Sequence, residues 1–425
     1  MPNLKPFRAL RYNQDIAGPI SELVAPPYDI IYDGWRERLY QRNPHNIIRL
    51  IKTKDEPGDN ESNNKYTRAN DYIRTWMDKG VLRPEDKPSI YLLSDTYNLN
   101  GETKTRYGFI SLLHIEEFGS SIHPHERTLS GPKEDRMNLV KATQTNLSQI
   151  FSIYKDPDGT LHNSIMKKTT ETTPDIDFKD EQGIERRMWV VSDPDFIQNI
   201  IRGMKNRDII IADGHHRYET ALAYKAMKEK DRTQPEEPFD YVTMYFSNSD
   251  APGMSILPTH RKVMDVDSFD ESAFFTELEK HYEVKPEKTT DINEMLDSIK
   301  NGSEKTTIFG FYTSGGFRVA RLKNPSVPKE LDVEILHNDI IEKQLGISKE
   351  DIASGKFLHF AKSPEHCIED VDSGNNQMGI FLNAIRSEEL FRRVLKGDRM
   401  PQKSTYFFPK TLSGLVMYKI DRKSF

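Results

Sequence analysis

Cysteine is almost absent from this sequence of 425 residues, which contains only Cys367. A single thiol excludes an intramolecular disulfide framework and a zinc site built from cysteines, and it fits a reducing compartment. No apolar run approaches the roughly 18 residues that a membrane helix needs, and residues 1–10 lack the apolar core of a signal peptide. We therefore expect a cytoplasmic protein without a membrane partner.

An excess of positive charge is also missing. The 60 Lys and Arg residues are outnumbered by 66 Asp and Glu residues, so the formal net charge is −6. Such a chain has no diffuse basic field to attract nucleic acid, and we expect no nucleic-acid partner. The sequence also lacks a phosphate loop ending in Gly-Lys-Ser/Thr, a Gly-x-Gly-x-x-Gly fingerprint and a Gly-x-Ser-x-Gly elbow. These absences argue against three familiar nucleotide-binding and hydrolase classes.

The order of predicted elements indicates an α/β protein. Between residues 187 and 246, short apolar strands alternate with amphipathic helices, a rhythm typical of a sheet covered by helices. The length suggests two or three domains. We expect an N-terminal α/β catalytic region at residues 1–265 and a C-terminal α+β region at residues 266–425.

Local patterns predict several individual elements. Apolar residues at helical spacing predict a helix at residues 65–79. Two β-rich runs separated by Asn100-Gly101 predict a hairpin at residues 89–113, and a second hairpin is predicted around residues 314–316. Closely spaced prolines predict no long helix before about residue 60.

The strongest candidate site lies at residues 209–221, where an apolar strand ends and a helix begins. The junction contains Asp213, Gly214, His215, His216 and Arg217. Free amides at a helix start and an adjacent guanidinium attract phosphate, so this segment predicts an anion site. The alternative is that Asp213 caps the helix and the histidines make only local hydrogen bonds.

A second polar segment runs through residues 123–136. Glu126 is a candidate general base, because a stiff loop can hold its carboxylate within reach of a substrate hydroxyl. His123 and His125 could instead join His215 and His216 in a metal site that activates water. The remaining alternative is a solvated charged loop.

Three weaker segments contain polar or rigid residues. Lys403, Ser404 and Thr405 lie near the C-terminus and could bind phosphate or carboxylate, as could residues 257–261. Residues 25–29, Ala-Pro-Pro-Tyr-Asp, suggest a rigid surface turn. None of the three predicts a function without the two stronger segments.

The two strong segments resemble a known pair of motifs. The run from Ile211 to Tyr218, Ile-Ala-Asp-Gly-His-His-Arg-Tyr, is similar to the strand–loop–helix signature of the ParB/sulfiredoxin fold. It looks most like the version in free L-serine kinases, which also carry an upstream Pro-His-Glu, here Pro124-His125-Glu126. The resemblance implies a mixed sheet core and phosphorylation of free serine to O-phosphoserine.

The resemblance also implies roles for individual residues. Glu126 would take the proton of the serine hydroxyl, and Asp213 would assist at the transfer centre with Mg²⁺ and with ATP or ADP as donor. The turn formed by Gly214, His215, His216, Arg217 and Tyr218 would bind the nucleotide phosphates. We expect His123 and His125 to contribute to the same phosphate site. Separately from the resemblance, the charges of Arg127, Lys133 and Arg136 suggest contacts with a substrate carboxylate. We expect Thr128, Lys403, Ser404 and Thr405 to contact the substrate as well.

The whole chain resembles a prokaryotic family of long proteins whose function is unassigned. The shared segments are Ala-Pro-Pro-Tyr-Asp near the start, His-Pro-His-Glu-Arg-Thr, Ala-Asp-Gly-His-His-Arg-Tyr, and Pro-Gln-Lys-Ser-Thr-Tyr-Phe near the end. The chain is longer than a minimal serine kinase, and we expect an insertion within residues 152–185. Two other functions stay open: a ParB-like nucleotide-binding regulator without turnover, and a metal-dependent hydrolase that uses the histidines.

Overall fold

A computed structural model describes residues 1–126, 131–267, 269–326, 330–401 and 403–425. The chain divides into two compact units. The first contains Met1–Ser255, Phe391–Asp398 and Pro409–Phe425, and the second contains Ile256–Leu390 and Arg399–Phe408. The units are therefore not contiguous in sequence, because two C-terminal segments belong to the first.

A nine-stranded mixed sheet forms the centre of the first unit. Its strands are β1 (Leu4–Lys5), β2 (Ile90–Leu99), β3 (Glu102–His114), β4 (Ile122–Pro124), β5 (Ile150–Tyr154), β6 (Ile176–Lys179), β7 (Glu185–Val191), β8 (Ile209–Asp213) and β9 (Tyr241–Asn248). Their order in the sheet is β4-β8-β5-β9-β3-β2-β7-β6, and β1 pairs with β3. The β4–β8 and β5–β9 pairs are parallel and the other pairs are antiparallel.

The predicted hairpin at residues 89–113 is confirmed as the β2–β3 pair. Leu99 pairs with Glu102, and the two turn residues between them have positive φ, 51° at Asn100 and 81° at Gly101. Asn and Gly tolerate this conformation better than other residues, which explains why the turn forms at this dipeptide. The local sequence therefore fixes the register of the hairpin.

Six helices of at least ten residues belong to the described part of the first unit. They are α1 (Asp33–Arg42), α2 (Lys65–Asp78), α3 (Gly131–Thr143), α4 (Thr160–Glu171), α5 (Pro194–Met204) and α6 (His215–Lys228). Shorter elements are the helices Gln14–Ala17, Ile20–Leu23 and Ile48–Ile51, the 3₁₀ turns Tyr28–Ile30, Glu229–Asp231 and Pro238–Asp240, and the strand pairs Leu10–Tyr12 with Leu82–Pro84 and Thr145–Asn146 with Tyr418–Lys419.

The helix predicted at residues 65–79 is confirmed as α2. Its first turn is fixed by a capping box in which the side chains of Asn64 and Thr67 accept each other's backbone amides. Early in the chain the structure differs from expectation, because α1 is a helix of ten residues before residue 60. It fits between Pro27 and Pro44, so neither proline interrupts it.

Helices α4 and α5 supply apolar side chains to the core of the first unit. Leu161 and Ile200 join a buried cluster with Phe109 and Phe246, whose rings stack with centroids 5.0 Å apart. Helix α4 and strand β6 lie in the segment predicted as an insertion. That segment therefore contributes a core helix and an edge strand to the unit.

The second unit contains an antiparallel six-stranded sheet of order β11-β13-β12-β15-β10-β14. The hairpin predicted around residues 314–316 is confirmed as β12–β13. The strands are β10 (His260–Val263), β11 (Tyr282–Pro286), β12 (Ile308–Thr313), β13 (Gly316–Leu322), β14 (Leu358–Ala361) and β15 (Met378–Phe381). The helices are α7 (Glu271–Leu278), α8 (Ile292–Lys300), α9 (Asp332–Ile335) with its π-helical continuation Leu336–Gln344, α10 (Lys349–Ser354) and α11 (Pro364–Asp372).

The remaining elements are the strands Ser255–Leu257 and Tyr406–Phe408 and the helix Ser387–Val394. Together the two sheets and their helices confirm the predicted α/β (α+β) class. Within the described residues, no helix combines the length and the apolar character needed to cross a bilayer.

A buried charge network joins three strands of the first sheet. Asp95 on β2 accepts from Arg106 on β3 at 2.6 Å and from Arg186 on β7 at 2.9 Å, and Arg186 also reaches Asp180 at 2.9 Å. All four side chains are at least 93% buried. Each charge therefore depends on its partners, because water cannot replace them.

Replacing Asp95 with alanine should destabilise the first unit strongly. The change leaves Arg106 and Arg186 buried without their shared carboxylate, and breaking a buried pair in this way costs about 3–5 kcal/mol. Urea unfolding followed by circular dichroism measures the effect. The control is Asp71→Ala, which removes an exposed pair with Arg74 and should cost less than about 0.5 kcal/mol. Equal effects of the two variants would contradict a structural role for the network.

Candidate functional site

The first part of the candidate site is the turn between β8 and α6. Asp213 ends the strand, Gly214 has φ 91°, and α6 begins at His215. A Cβ at residue 214 would lie 2.8 Å from the guanidinium of Arg217. Glycine is therefore required twice at this turn, for its left-handed backbone and for the space that Arg217 occupies.

The carboxylate of Asp213 is held between two cations. Arg217 donates to Oδ2 at 2.7 Å, Lys410 donates to Oδ1, and Arg217 also donates to the carbonyl of Gln149. Burial alone would raise the pKa of Asp213, but the charges of Lys410 and Arg217 outweigh it and hold the pKa well below the ordinary value. Asp213 is therefore a carboxylate at neutral pH.

The second polar segment reaches the same place through the parallel pairing of β4 with β8. His123 pairs with Ile210 and Pro124 with Ile211, so His125 and Glu126 leave the sheet beside the start of α6. The rings of His125 and His215 have centroids 4.7 Å apart. The structure thus brings the two candidate segments together.

Hydrogen bonds define the protonation of these histidines. Nδ1 of His125 contacts the carbonyl oxygen of Ile211, and this nitrogen carries a proton because a carbonyl oxygen only accepts. Nε2 of His125 lies 3.5 Å from Oε1 of Glu126. The backbone amide of His125 donates to Nε2 of His215 at 3.3 Å, so that nitrogen is unprotonated.

His215 is accordingly a neutral histidine. Burial and then the charge of His125 lower its pKa to about 3, although Glu126 and Asp213 act in the opposite direction. The sequence indicated that His215 donates to phosphate, but in the structure its Nε2 accepts a hydrogen bond from the backbone amide of His125. The positive charge next to Asp213 is supplied by Arg217 and Lys410.

Two other residues predicted for phosphate binding have partners outside this turn. Nε2 of His123 lies 3.1 Å from Oδ1 of Asp208. The hydroxyl of Tyr218 donates to the carbonyl of Glu116 at 2.7 Å, and its ring is buried in the core. His216 is half-buried on the first turn of α6.

The residues predicted for substrate binding are distributed over several elements. Lys133 on α3 pairs with Glu219 at 2.8 Å, and Arg136 on the same helix pairs with Asp135. Arg127 and Thr128 lie outside the described residues. Lys403, Ser404 and Thr405 belong to the second unit, where Lys403 has φ 57° and the hydroxyl of Ser404 donates to the carbonyl of Pro401 at 2.6 Å.

Lys410 is the site residue that sequence reasoning did not select. It follows the Lys403-Ser404-Thr405 segment by a few residues, but it belongs to the first unit. No local pattern links it to Asp213, because 197 positions separate the two residues. The density of polar and aromatic residues at 400–410 was the available signal, and it did not distinguish one lysine from the other.

The sequence matches a known family over most of its length. Residues 4–336 match the family described as "Protein of unknown function (DUF1015)". The chain belongs to the DUF1015 family. No curated protein matches its sequence.

Several solved structures resemble this DUF1015 chain weakly. A free serine kinase variant in complex with ADP aligns with a TM-score of 0.36 and 12% identity, over 68% of this chain and 84% of its own. SbnI with C-terminal truncation from Staphylococcus aureus aligns with a TM-score of 0.34 and 11% identity, over 71% of this chain and 87% of its own. A conserved hypothetical protein from Pyrococcus furiosus aligns with a TM-score of 0.34 and 12% identity, over 68% of this chain and 87% of its own. These scores carry no functional argument, and we base the function on the residues of the site.

Three histidines of this DUF1015 chain, His123, His125 and His215, contact other groups of the protein. Asp208 lies next to Nε2 of His123. The carbonyl oxygen of Ile211 accepts a hydrogen bond from Nδ1 of His125, and the amide of His125 donates to Nε2 of His215. Among the described residues, no group of three or more His, Cys, Asp or Glu side chains is arranged to hold a metal ion.

The neutral state of His215 predicts a pH effect on the stability of this DUF1015 chain. The unfolded histidine binds a proton below about pH 6.5 and the folded one only near pH 3, so its contribution to stability is lost as the pH falls through that window. In His215→Gln, the unfolding free energy should depend on pH between 5 and 6 less steeply, by about 1 kcal/mol per pH unit. Urea unfolding at a series of pH values measures this slope. His366→Gln, at an exposed position, is the control. A wild-type slope in His215→Gln would show that His215 is protonated in the folded protein.

Proposed function

We propose that this chain is a small-molecule kinase that phosphorylates the hydroxyl of free L-serine with ATP or ADP as donor. One observation carries the proposal: the two separate motifs meet, because His125, which precedes Glu126, and His215, two residues after Asp213, have ring centroids 4.7 Å apart. A base and an ionised carboxylate at one position suit a reaction that depends on orienting a hydroxyl near phosphates. The resemblance of both motifs to free L-serine kinases supports the same function, with a ParB/sulfiredoxin-like core.

In the proposed reaction, the serine hydroxyl oxygen forms a bond to the terminal phosphorus of the nucleotide. The bond between that phosphorus and the bridging oxygen breaks, so ATP leaves as ADP or ADP leaves as AMP. The hydroxyl proton passes to Glu126. Nε2 of His125 lies 3.5 Å from the Glu126 carboxylate, so the imidazole can orient this base.

Arg217 supplies positive charge for the nucleotide phosphates. Its guanidinium is oriented by Asp213 and by the carbonyl of Gln149, so little side-chain freedom is lost when an anion binds. The helix start that follows Gly214 adds partial positive charge in the same direction. We assign Gly214 and Arg217 to the phosphates and Glu126 to the acceptor.

Magnesium belongs to this proposal as part of the substrate, MgATP or MgADP. Both oxygens of Asp213 accept from cations, and no three-ligand metal group occurs among the described residues. The residues as placed do not fit a magnesium ion held by the protein alone. A metal ion that arrives with the phosphates needs few protein ligands.

The direct test is incubation with MgATP or MgADP and L-serine, with O-phosphoserine detected by mass spectrometry. Phosphoserine that forms in a protein-dependent manner supports the kinase. Nucleotide binding without turnover of serine or any other hydroxylated metabolite would instead support a ParB-like regulator. Stoichiometric zinc, manganese or iron in the purified protein, with hydrolysis as the activity, would support the hydrolase.

Glu126→Gln should lower kcat by about 10²-fold or more, because an amide cannot take the hydroxyl proton. Nucleotide affinity should stay within about twofold, since the base acts on the acceptor and not on the phosphates. Glu134→Gln is the matched control, since it removes an exposed carboxylate from α3. Loss of nucleotide binding in Glu126→Gln would assign Glu126 a different role.

A further inference from the structure

A cleft in the first unit is lined by more cations than anions. Its volume is about 150 Å³. The charged residues on its walls are Arg36, Lys52, Lys65 and Arg136 against Asp55 and Asp135. A cavity of about this volume holds a molecule of roughly six heavy atoms. The cleft therefore has the size and the charge for a small anionic or zwitterionic molecule.

Arg136 is held rigidly in this cleft. Its Nε donates to Asp135 at 3.0 Å, its Nη1 donates to the carbonyl of Ile51 at 3.0 Å, and its Nη2 also donates to Asp135. The guanidinium carbon lies 3.9 Å from the ring centroid of Tyr28. Within the described residues, these bonds use three of the five N–H donors, and the two that are left belong to Nη1 and Nη2. A planar guanidinium with donors on both terminal nitrogens suits a carboxylate.

Lys52 adds a second cation to the cleft. Its ammonium group donates to the carbonyl oxygens of Ile31 and Tyr28, which hold it in place. Burial lowers its pKa, and the positive charges of Arg36 and Arg136 lower it further. These three cations repel one another, and a bound anion would relieve that repulsion.

Tyr28 connects the cleft to the turn at Asp213. A neighbouring cavity of about 70 Å³ is lined by Tyr28, Arg136 and Arg217. Burial raises the pKa of the Tyr28 hydroxyl, while the charges of Arg136 and Arg217 both oppose that rise. The tyrosine of the Ala-Pro-Pro-Tyr-Asp segment is thus a shared wall between the cationic cleft and the arginine that pairs with Asp213.

We propose that this cleft binds the carboxylate of the acceptor, with Arg136 and Lys52 as the cations that hold it. The inference rests on the proposed kinase function and narrows its substrate class to small hydroxylated molecules that carry a carboxylate, such as L-serine. It also gives the Ala-Pro-Pro-Tyr-Asp segment a role, since Tyr28 orients Arg136 through its ring face.

The test is isothermal titration of the full chain with AMP present, which allows acceptor binding without phosphoryl transfer. The probes are L-serine, L-serinamide, which lacks the carboxylate, and inorganic phosphate. L-Serine should bind at least tenfold more tightly than L-serinamide. Arg136→Met and Lys52→Met should each weaken L-serine binding at least tenfold and leave the affinity for AMP within twofold.

Arg207→Met is the matched control. Arg207 also pairs with an aspartate, Asp156, donates to a backbone carbonyl and lies near a tyrosine ring, that of Tyr154 at 5.7 Å. It does not line the cleft. Its loss should leave L-serine binding unchanged, and circular dichroism checks that each variant is folded.

Equal binding of L-serine and L-serinamide would overturn the proposal. So would wild-type serine affinity in both Arg136→Met and Lys52→Met, or binding of inorganic phosphate in the cleft without L-serine. The kinase function can be contradicted separately. Serine binding that depends on Arg136, without phosphoserine formation, would support the proposed carboxylate site and contradict the kinase function. Phosphorylation of serine with an unchanged KM in both variants would support the kinase function and contradict the proposed carboxylate site.

Discussion

The parallel pairing of β4 with β8 is the interaction on which the candidate site depends. It aligns His123 with Ile210 and Pro124 with Ile211, so the residues that follow β4 emerge beside the first turn of α6. The bonds from His125 to the carbonyl of Ile211 and to Nε2 of His215 continue this alignment beyond the strands. Without the pairing, Glu126 would have no fixed position relative to Asp213.

The surroundings of two neighbouring titratable groups give them different charge states at this site. His215 is neutral, because desolvation and its histidine neighbour disfavour the proton, while Asp213 is ionised because Lys410 and Arg217 outweigh desolvation. The local charge is therefore set by pairs of residues from distant segments. A site in which one group stays neutral and another stays ionised over a wide pH range is suited to holding a charged substrate next to a separate base.

The sequence predicted the elements whose causes are local. The hairpin at Asn100-Gly101, the helix α2 and the strand–turn–helix around Gly214 each follow from neighbouring residues with a known conformational preference. Lys410 was not found in this way, and Tyr28 was noticed only as part of a rigid turn, because the contacts of both depend on how distant segments pack. The protonation of His215 was equally out of reach, since it depends on an amide 90 positions away.

The distribution of positive charge has a consequence for the chemistry of the whole unit. The motif suggested that His215, His216 and Arg217 concentrate charge for an anion, but His215 is neutral and the second cation at Asp213, Lys410, comes from outside the motif. Lys410 pairs with Asp213, and Tyr28 lines both the cavity shared with Arg217 and the cleft that contains Arg136 and Lys52. Two separate groups of cations in one unit of an acidic chain suit two anionic groups, such as the nucleotide phosphates and the acceptor carboxylate of the proposed reaction. The segments outside the two motifs are therefore part of the charge arrangement.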